Sequence, residues 1–212
     1  MRARVSSAAQ RAGRDPNAIT IVAVSKVKPA ADIVAAYRAG QRHFGESYIQ
    51  EFLKKKTDIP ELPGVHFHMI GHLQANKTTV ASKIFDVIQT IDSVKLARRL
   101  NDTQKNIDVF LEVRLSTEEN RPGLAEAEIA TLKRYIEDCP RLKLRGLMGM
   151  PPWFDEPERT RPYFRRLKCL AEQYELPEIS MGMSRDFETA IEEGSTLVRL
   201  GTAIFGQRFH SR

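Results

Sequence analysis

The chain has 212 residues, enough to bury one substantial core, and is expected to form a single domain over 1–212. Charged residues make up 28% and hydrophobic ones 42%, an ordinary globular balance. The net charge of +6 comes from scattered basic residues, apart from Lys54, Lys55 and Lys56, with no aromatic-plus-basic module, so nucleic acid is not an expected partner.

The first segment, "MRARVSSAAQRAGRDP", is polar, basic and helix-like; without an apolar central stretch it is not a secretory signal. Residues 19–26 (ITIVAVSK) follow. Five of the seven residues from Ile19 to Ser25 are apolar, most of them β-branched, which is the pattern of a parallel strand covered on both faces. This strand runs straight into Lys26. Further strands are predicted at 42–46, 66–71, 85–91, 107–115, 142–150, 178–183 and 196–200. Helical patterns fill the intervals at 30–39, 47–57, 75–83, 93–104, 124–137, 157–174 and 185–193. Asp92 and Ser93 stand where an N-cap belongs, while Gly40 and Gly194 follow the last residues of their helices. Pro140 closes another helix, and "PPWFDEP" (151–157) reads as a loop after the sixth strand. Strands alternating with helices give a closed (β/α)8 barrel as the simplest architecture, with an open doubly wound sheet as the alternative. Cys139 and Cys169 lack CxxC spacing, which argues against a disulfide framework or a zinc site and fits a reducing compartment. No apolar run approaches the roughly 18–20 residues of a membrane span, so a cytoplasmic protein without a membrane partner is expected.

In such a barrel the C-terminal strand ends build the site. Lys26 is expected to project there, and partial desolvation by the apolar strand behind it favours the neutral amine that carbonyl chemistry needs. The far end of the chain supplies a complement. "ISMGMSRD" (179–186) brings Ser184 to the end of the seventh strand, and "VRLGTAIFG" (198–206) brings Gly201 and Thr202 to the end of the eighth. Hydroxyls and exposed backbone N–H groups at those two loops form the usual phosphate site of this barrel. Together these residues point to a phosphorylated aldehyde, with its phosphate at Ser184, Gly201 and Thr202 and its carbonyl at Lys26.

The motifs "VAVSKVKP", "HFGESYIQE", "HMIGHLQANK", "GLMGM", "SMGMSRD" and "VRLGTAIFGQR" resemble, in order and spacing, those of the pyridoxal phosphate homeostasis proteins, also described as proline synthetase co-transcribed homologues. The resemblance covers nearly the whole chain. It implies an alanine racemase-like (β/α)8 barrel that carries pyridoxal 5′-phosphate (PLP) and buffers and delivers vitamin B6, with no established turnover. It further implies that Lys26 holds PLP as a covalent aldimine, that Ser184, Gly201 and Thr202 form the phosphate cup, and that Arg199 faces the pyridine nitrogen. An arginine there leaves that nitrogen unprotonated and the ring a poor electron sink. Met150 and Met183 are placed to flank the cofactor ring. There are departures: Ser47 stands where the family usually has Asn, Phe67 and Met69 of "FHMIGHLQ" stand in the family's aromatic positions as a repacking of the barrel, and Arg114 replaces Asn in "VRLSTEENRPG" (113–123).

Other candidates read more simply. His66, His68 and His72 lack a carboxylate nearby in sequence, so no metal is expected; His72 is expected to shape the pocket. Glu46 reads as the partner of a nearby cation, Met148 and Met181 as barrel filling, and Trp153 as a loop cover with no ligand assigned. The alternative function is a PLP-dependent amino-acid racemase or decarboxylase. A racemase needs an acid/base on each face of the substrate, with a tyrosine from a second domain of the partner subunit on one of them in alanine racemases. Tyr37, Tyr48, Tyr135, Tyr163 and Tyr174 all fall in predicted helices or at their edges, and the chain ends soon after the eighth strand, so a carrier is expected instead. A Schiff-base aldolase shares the lysine and the cup, but it is colourless where a PLP protein is yellow. A monomer is expected, with apo-PLP enzymes as partners that receive the cofactor.

Overall fold

The apolar, β-branched runs become parallel strands that close on themselves in chain order, β1-β2-β3-β4-β5-β6-β7-β8, with β8 pairing back to β1. The computed structural model describes residues 1–116 and 122–207; residues 117–121 of "VRLSTEENRPG" and Arg208 of "VRLGTAIFGQR" lie outside the described residues. The strands are β1 (Thr20–Val24), β2 (His43–Glu46), β3 (His66–Met69), β4 (Val87–Ile91), β5 (Ile107–Arg114), β6 (Leu142–Met150), β7 (Glu178–Met183) and β8 (Leu197–Leu200). A helix, α1 (Arg2–Arg11), precedes the barrel. Then α2 (Ala30–Arg38), α3 (Ile49–Lys56), α4 (Thr78–Ile84), α5 (Val94–Asn101), α6 (Ile129–Glu137), α7 (Arg161–Gln173) and α8 (Phe187–Glu192) follow the first seven strands, and α9 (Thr202–Phe205) follows the eighth. The closed barrel is thus the observed fold, and the open sheet is not.

The sequence pattern resolves three apolar layers. Outward strand residues such as Phe44, Ile88, Val109, Leu147 and Ile179 pack under the helices in the largest cluster. Inside the barrel a smaller cluster of Val22, Val87, Phe110, Met148 and Leu197 fills the lumen. On the outside, Val5, Ala8 and Ala9 of α1 pack on Phe187 and Ile191 of α8 and on Val198 and Leu200 of β8. Each fully buried side chain of Val, Leu or Phe size contributes about 1.5–3 kcal/mol of transfer free energy, so α1 fastens the β8 side of the barrel rather than decorating it. Met148 fills the lumen as expected, whereas Met181 points outward into the helix-facing cluster.

The boundary signals act as their chemistry requires. Ser93 Oγ accepts from Leu96 N at 3.3 Å and caps α5, while Gly40 and Gly194 take φ of +90° and +103° just past α2 and α8. The helices expected at 75–83, 124–137 and 157–174 each begin with a 3₁₀ turn, at Ala75–Lys77, Glu126–Glu128 and Pro157–Thr160. The strand expected to run to Lys26 stops earlier. Ser25 N still donates to Gly45 O at 3.0 Å, but Lys28 N turns back onto Ser25 O at 3.1 Å. Val27 between them has φ +57°. Lys26 therefore sits in a turn two residues beyond β1, still at the C-terminal mouth. Cys139 and Cys169 are free thiols. Among the described residues no helix is long and apolar enough to cross a membrane.

Candidate functional site

At the C-terminal mouth a cavity of about 390 Å³ opens between the ends of β1, β6, β7 and β8, within the range of ~300–1,000 Å³ usual for small-molecule sites. Lys26, Ser47, Met150, Met183, Ser184, Arg199, Gly201 and Thr202 all line it. Residues separated by up to 176 positions in sequence, 26 to 202, are thereby brought to one space.

Its parts arise locally. Gly182 has φ +88°, and a Cβ there would lie 2.5 Å from Ala190 Cβ, so only glycine lets the chain leave β7 against α8. Past it, Met183 N donates to Asp186 Oδ1 at 2.6 Å and Asp186 N to Met183 O at 3.1 Å, closing a tight turn around Ser184. Burial raises the Asp186 carboxyl, opposed by that N–H and by Arg199. Gly201 N and Ala203 N converge on Ser184 Oγ at 3.2 and 3.3 Å. Two amides aimed at one point, at the entry to α9, make the donor geometry of an anion cradle. On the β2 side Gly71 lies so close to Ser47 that a Cβ would fall 2.3 Å from its carbonyl oxygen. This contact holds Ser47 at the cavity wall.

Arg199 is 4% exposed and is held from below: Nη1 donates to Ser180 O at 2.8 Å and to Ser180 Oγ at 2.6 Å, and Nη2 to Gly149 O at 3.1 Å. Burial lowers its pKa to about 10, against the pull of Glu112 and Asp186, so it remains a cation at neutral pH. Glu112, inside the barrel on β5, is pushed up to about 7, chiefly by burial and next by Asp92, with Arg199 opposing. One of its oxygens, Oε2, has no hydrogen-bond partner. Behind Arg199 a polar chain continues through the lumen. Ser180 Oγ donates to Gln89 Oε1 at 2.7 Å, Gln89 Nε2 meets His68 Nδ1 at 3.0 Å, and His68 Nε2 meets His43 Nδ1 at 3.0 Å. Buried polar groups in a barrel core have to satisfy one another, and this chain does so from one mouth to the other.

Several lining groups were not singled out from sequence. Asp186 forms the turn, and Ile70, Val24 and the 151–154 segment form apolar wall. Trp153, expected only to cover its loop, lines the cavity with Arg185 stacked 4.9 Å from its ring, while remaining 65% exposed. Gln89 carried a usable signal, because an amide in the middle of a strand buried at all five positions needs a partner. Glu112 carried the same signal. His72 does not line the cavity; it faces Asp92, 3.8 Å away. The expectation that it shapes the pocket is corrected accordingly, since the turn after Gly71 directs it outward, where it is 57% exposed. None of the five tyrosines is among the lining residues. A larger surface hollow of about 760 Å³ lies by α4 and α5, lined by residues such as Gln74, Lys95 and Arg99, and holds none of the predicted site residues.

The alanine racemase N-terminal domain family matches residues 1–209. A pyridoxal phosphate homeostasis protein of Escherichia coli (strain K12) is 41% identical over 223 residues, covering 100% of this chain and 95% of that relative. The chain belongs to the pyridoxal phosphate homeostasis protein family. PipY of Synechococcus elongatus PCC7942 has been solved both without and with PLP bound. Its PLP-bound structure has a TM-score of 0.84 at 33% identity, covering 96% of this chain and 100% of that one. An alanine racemase of Corynebacterium glutamicum, 19% identical with a TM-score of 0.69, covers 99% of this chain but only 61% of its own, and shares the fold.

The residues present fit the PLP that is bound in the PipY structure. The amide pair at Ser184 suits a phosphate, the apolar walls from Val24, Ile70 and Met150 suit an aromatic ring, and Lys26 and Arg199 supply an amine and a fixed cation.

Proposed function

We propose that this protein binds PLP at the C-terminal mouth and acts as a carrier that holds and hands on the cofactor, without substantial turnover. The observation that carries the reading is the convergence of Lys26, Ser47, Met183, Ser184, Arg199, Gly201 and Thr202 on one cavity whose backbone amides already point at a single acceptor. Ser184, Gly201 and Thr202 hold the phosphate, with the Ala203 amide beside them. Arg199, locked by Ser180 and Gly149, holds a positive charge toward the ring nitrogen; Met183 flanks the ring, and Ser47 bounds it on the β2 side. When bound, PLP would supply an aldehyde, and Lys26 would be the residue whose amine is placed to bond it. The protein is proposed to work as a cytoplasmic monomer of one barrel domain, with apo-PLP enzymes as recipients.

Two features of the site support holding over catalysis. A guanidinium at the ring nitrogen weakens the ring as an electron sink. The carboxyl among the cavity's lining residues is that of Asp186, and its Oδ1 already accepts from Met183 N. A racemase needs a proton donor on each face of the substrate carbon.

The test is an absorption spectrum of the purified protein before and after borohydride reduction, followed by incubation with L-alanine in deuterated water. A visible band that reduction converts to a stable label on Lys26, with α-proton exchange near background, is expected. Deuterium entering alanine at rates on the order of 1 s⁻¹ overturns the carrier reading in favour of the racemase.

A further inference from the structure

The turn that carries Lys26 is gripped from behind by a charged cluster that lines no part of the cavity. Ser25 Oγ donates to Glu46 Oε1 at 2.7 Å, and the Ser25 carbonyl accepts from Lys55 Nζ at 2.8 Å. On the other side of Lys26, Val27 N donates to Glu51 Oε1 at 2.7 Å. Lys55 Nζ ties the two grips together, 2.8 Å from Glu46 Oε1 and 3.0 Å from Glu51 Oε1. Its ammonium thus donates hydrogen bonds to Ser25 O and Glu46 Oε1 and forms an ion pair with Glu51 Oε1.

This arrangement is costly. The Lys55 side chain is 7% exposed and that of Glu46 is fully buried, and desolvating such a pair offsets much of its attraction. Burial raises the Glu46 carboxyl despite the Lys55 bond, and Glu46 Oε2 is left without a partner. The turn itself is strained, because φ +57° at Val27 is a conformation that β-branched residues avoid. Strained backbone persists where its surroundings over-determine it. Here the hydrogen bonds that over-determine it fall on the two residues flanking Lys26.

We infer that Glu46, Glu51 and Lys55 are positioning residues that clamp the backbone on both sides of Lys26 and so hold its amine in place for attack on the cofactor aldehyde. The inference rests on the reading that Lys26 bonds PLP covalently. The clamp acts on that bond and leaves the phosphate cup, built by β7 and β8, untouched.

Glu51 is the place to test it, since its side chain is 29% exposed and its loss leaves the Lys55–Glu46 pair intact. Two probes separate covalent from non-covalent binding: PLP, and 4′-deoxypyridoxine 5′-phosphate, which keeps the ring and phosphate but has a methyl group in place of the aldehyde. Binding is read from quenching of Trp153, the single tryptophan and a lining residue, and covalent attachment from the label that borohydride fixes on Lys26. Glu51→Ala is expected to weaken PLP about tenfold, the loss of one charge-assisted hydrogen bond, and to slow labelling, with the deoxy probe unchanged within about twofold. Glu51→Gln keeps an acceptor for Val27 N–H and restores most of the PLP affinity. Val27→Gly in the Glu51→Ala background restores it too, because glycine holds φ +57° without side-chain cost. If Glu51→Ala does not fold, Glu51→Asp, which draws the carboxylate back by one methylene, carries the same comparison. Equal weakening of both probes, or PLP binding indistinguishable from the unaltered protein, overturns the clamp. An unaltered protein that binds the deoxy probe yet takes no label on Lys26 removes the underlying reading, and the clamp with it.

Discussion

The two mouths of this barrel are formed by the same strands and enclose hollows of similar size, about 390 Å³ at the C-terminal end and about 350 Å³ at the N-terminal end. At the N-terminal mouth the polar groups spend their hydrogen bonds on each other. His43 bonds His68, His66 stacks on His43 with centroids 5.1 Å apart, and Arg145 pairs with both Asp108 and Glu178. At the C-terminal mouth two backbone amides converge on one hydroxyl, a guanidinium is locked from below, and apolar wall fills the intervals. Cavity volume does not separate the two ends. What separates them is the chemistry of the lining. At the C-terminal mouth donors gather around one point beside apolar wall and an amine, whereas at the N-terminal mouth histidines and ion pairs close on each other. On that ground the proposed site is placed at the C-terminal mouth.

The sharpest way to break this comparison is to remove the amine. Lys26→Ala is expected to abolish the visible band and all borohydride labelling; a label that appears instead on Lys28 or Lys77 takes the reaction away from residue 26. Next in size is the phosphate. Pyridoxal lacking it is expected to bind at least about 100-fold more weakly, since each charge-assisted hydrogen bond to the anion is worth ~1.5–3 kcal/mol and at least two are lost. Equal affinity for the two vitamers removes the cup.

The two ends are also expected to respond oppositely to pH. Glu112, near the C-terminal mouth, has its pKa raised from 4.5 to about 7 in the folded protein. The folded state therefore holds a proton that the unfolded chain releases, and stability falls as pH rises from about 4.5 through about 7. Glu112→Gln is expected to flatten that loss, worth about 3 kcal/mol across the window, as read from urea midpoints. A pH slope unchanged by the substitution shows that Glu112 is ionised throughout. His68, toward the N-terminal mouth, is held well below its ordinary pKa by burial and then by His43 and His66. Here the unfolded chain binds the extra proton, so stability falls as pH drops below about 6.5. His68→Gln is expected to reduce this acid-side slope, the smallest of these effects, while leaving PLP affinity at pH 7.5 within about threefold. A large loss of affinity in that variant instead ties the lumen chain to the site through Gln89, Ser180 and Arg199.

Much of the architecture was legible because it rests on local, repeated physics. The strand cores at 142–150 and 178–183 were read to the residue, since apolar runs ended at turn residues leave little choice of boundary. Ser184, Gly201 and Thr202 could be expected at the mouth, whose cavity they line, because they stand at the ends of the last two strands. The end of β1 was misread. Ser25 and Lys26 continue the strand pattern, but Glu51, in the first turn of α3, captures the Val27 amide and turns the chain. Asp186 and Trp153 were missed as lining groups for a related reason: a carboxylate next to Arg185 and an aromatic in a proline-rich loop look like ordinary surface until the ends of β6 and β7 bring them together.

The sequence by itself therefore determined the alternation of strand and helix, a closed barrel as its simplest arrangement beside an open sheet, and the small hydroxyl, glycine and lysine residues at the strand ends. Those properties follow from hydrophobic periodicity and from chemistry carried by single residues or close neighbours. Only the tertiary structure decided which groups face one another across the lumen: the Arg199–Ser180–Gln89–His68 chain, the orphaned oxygen of Glu112, and the Lys55 cluster behind Lys26. Those contacts join residues up to 91 positions apart. Their pairing depends on the register and shear at which the barrel closes, which the periodicity of any one strand does not encode.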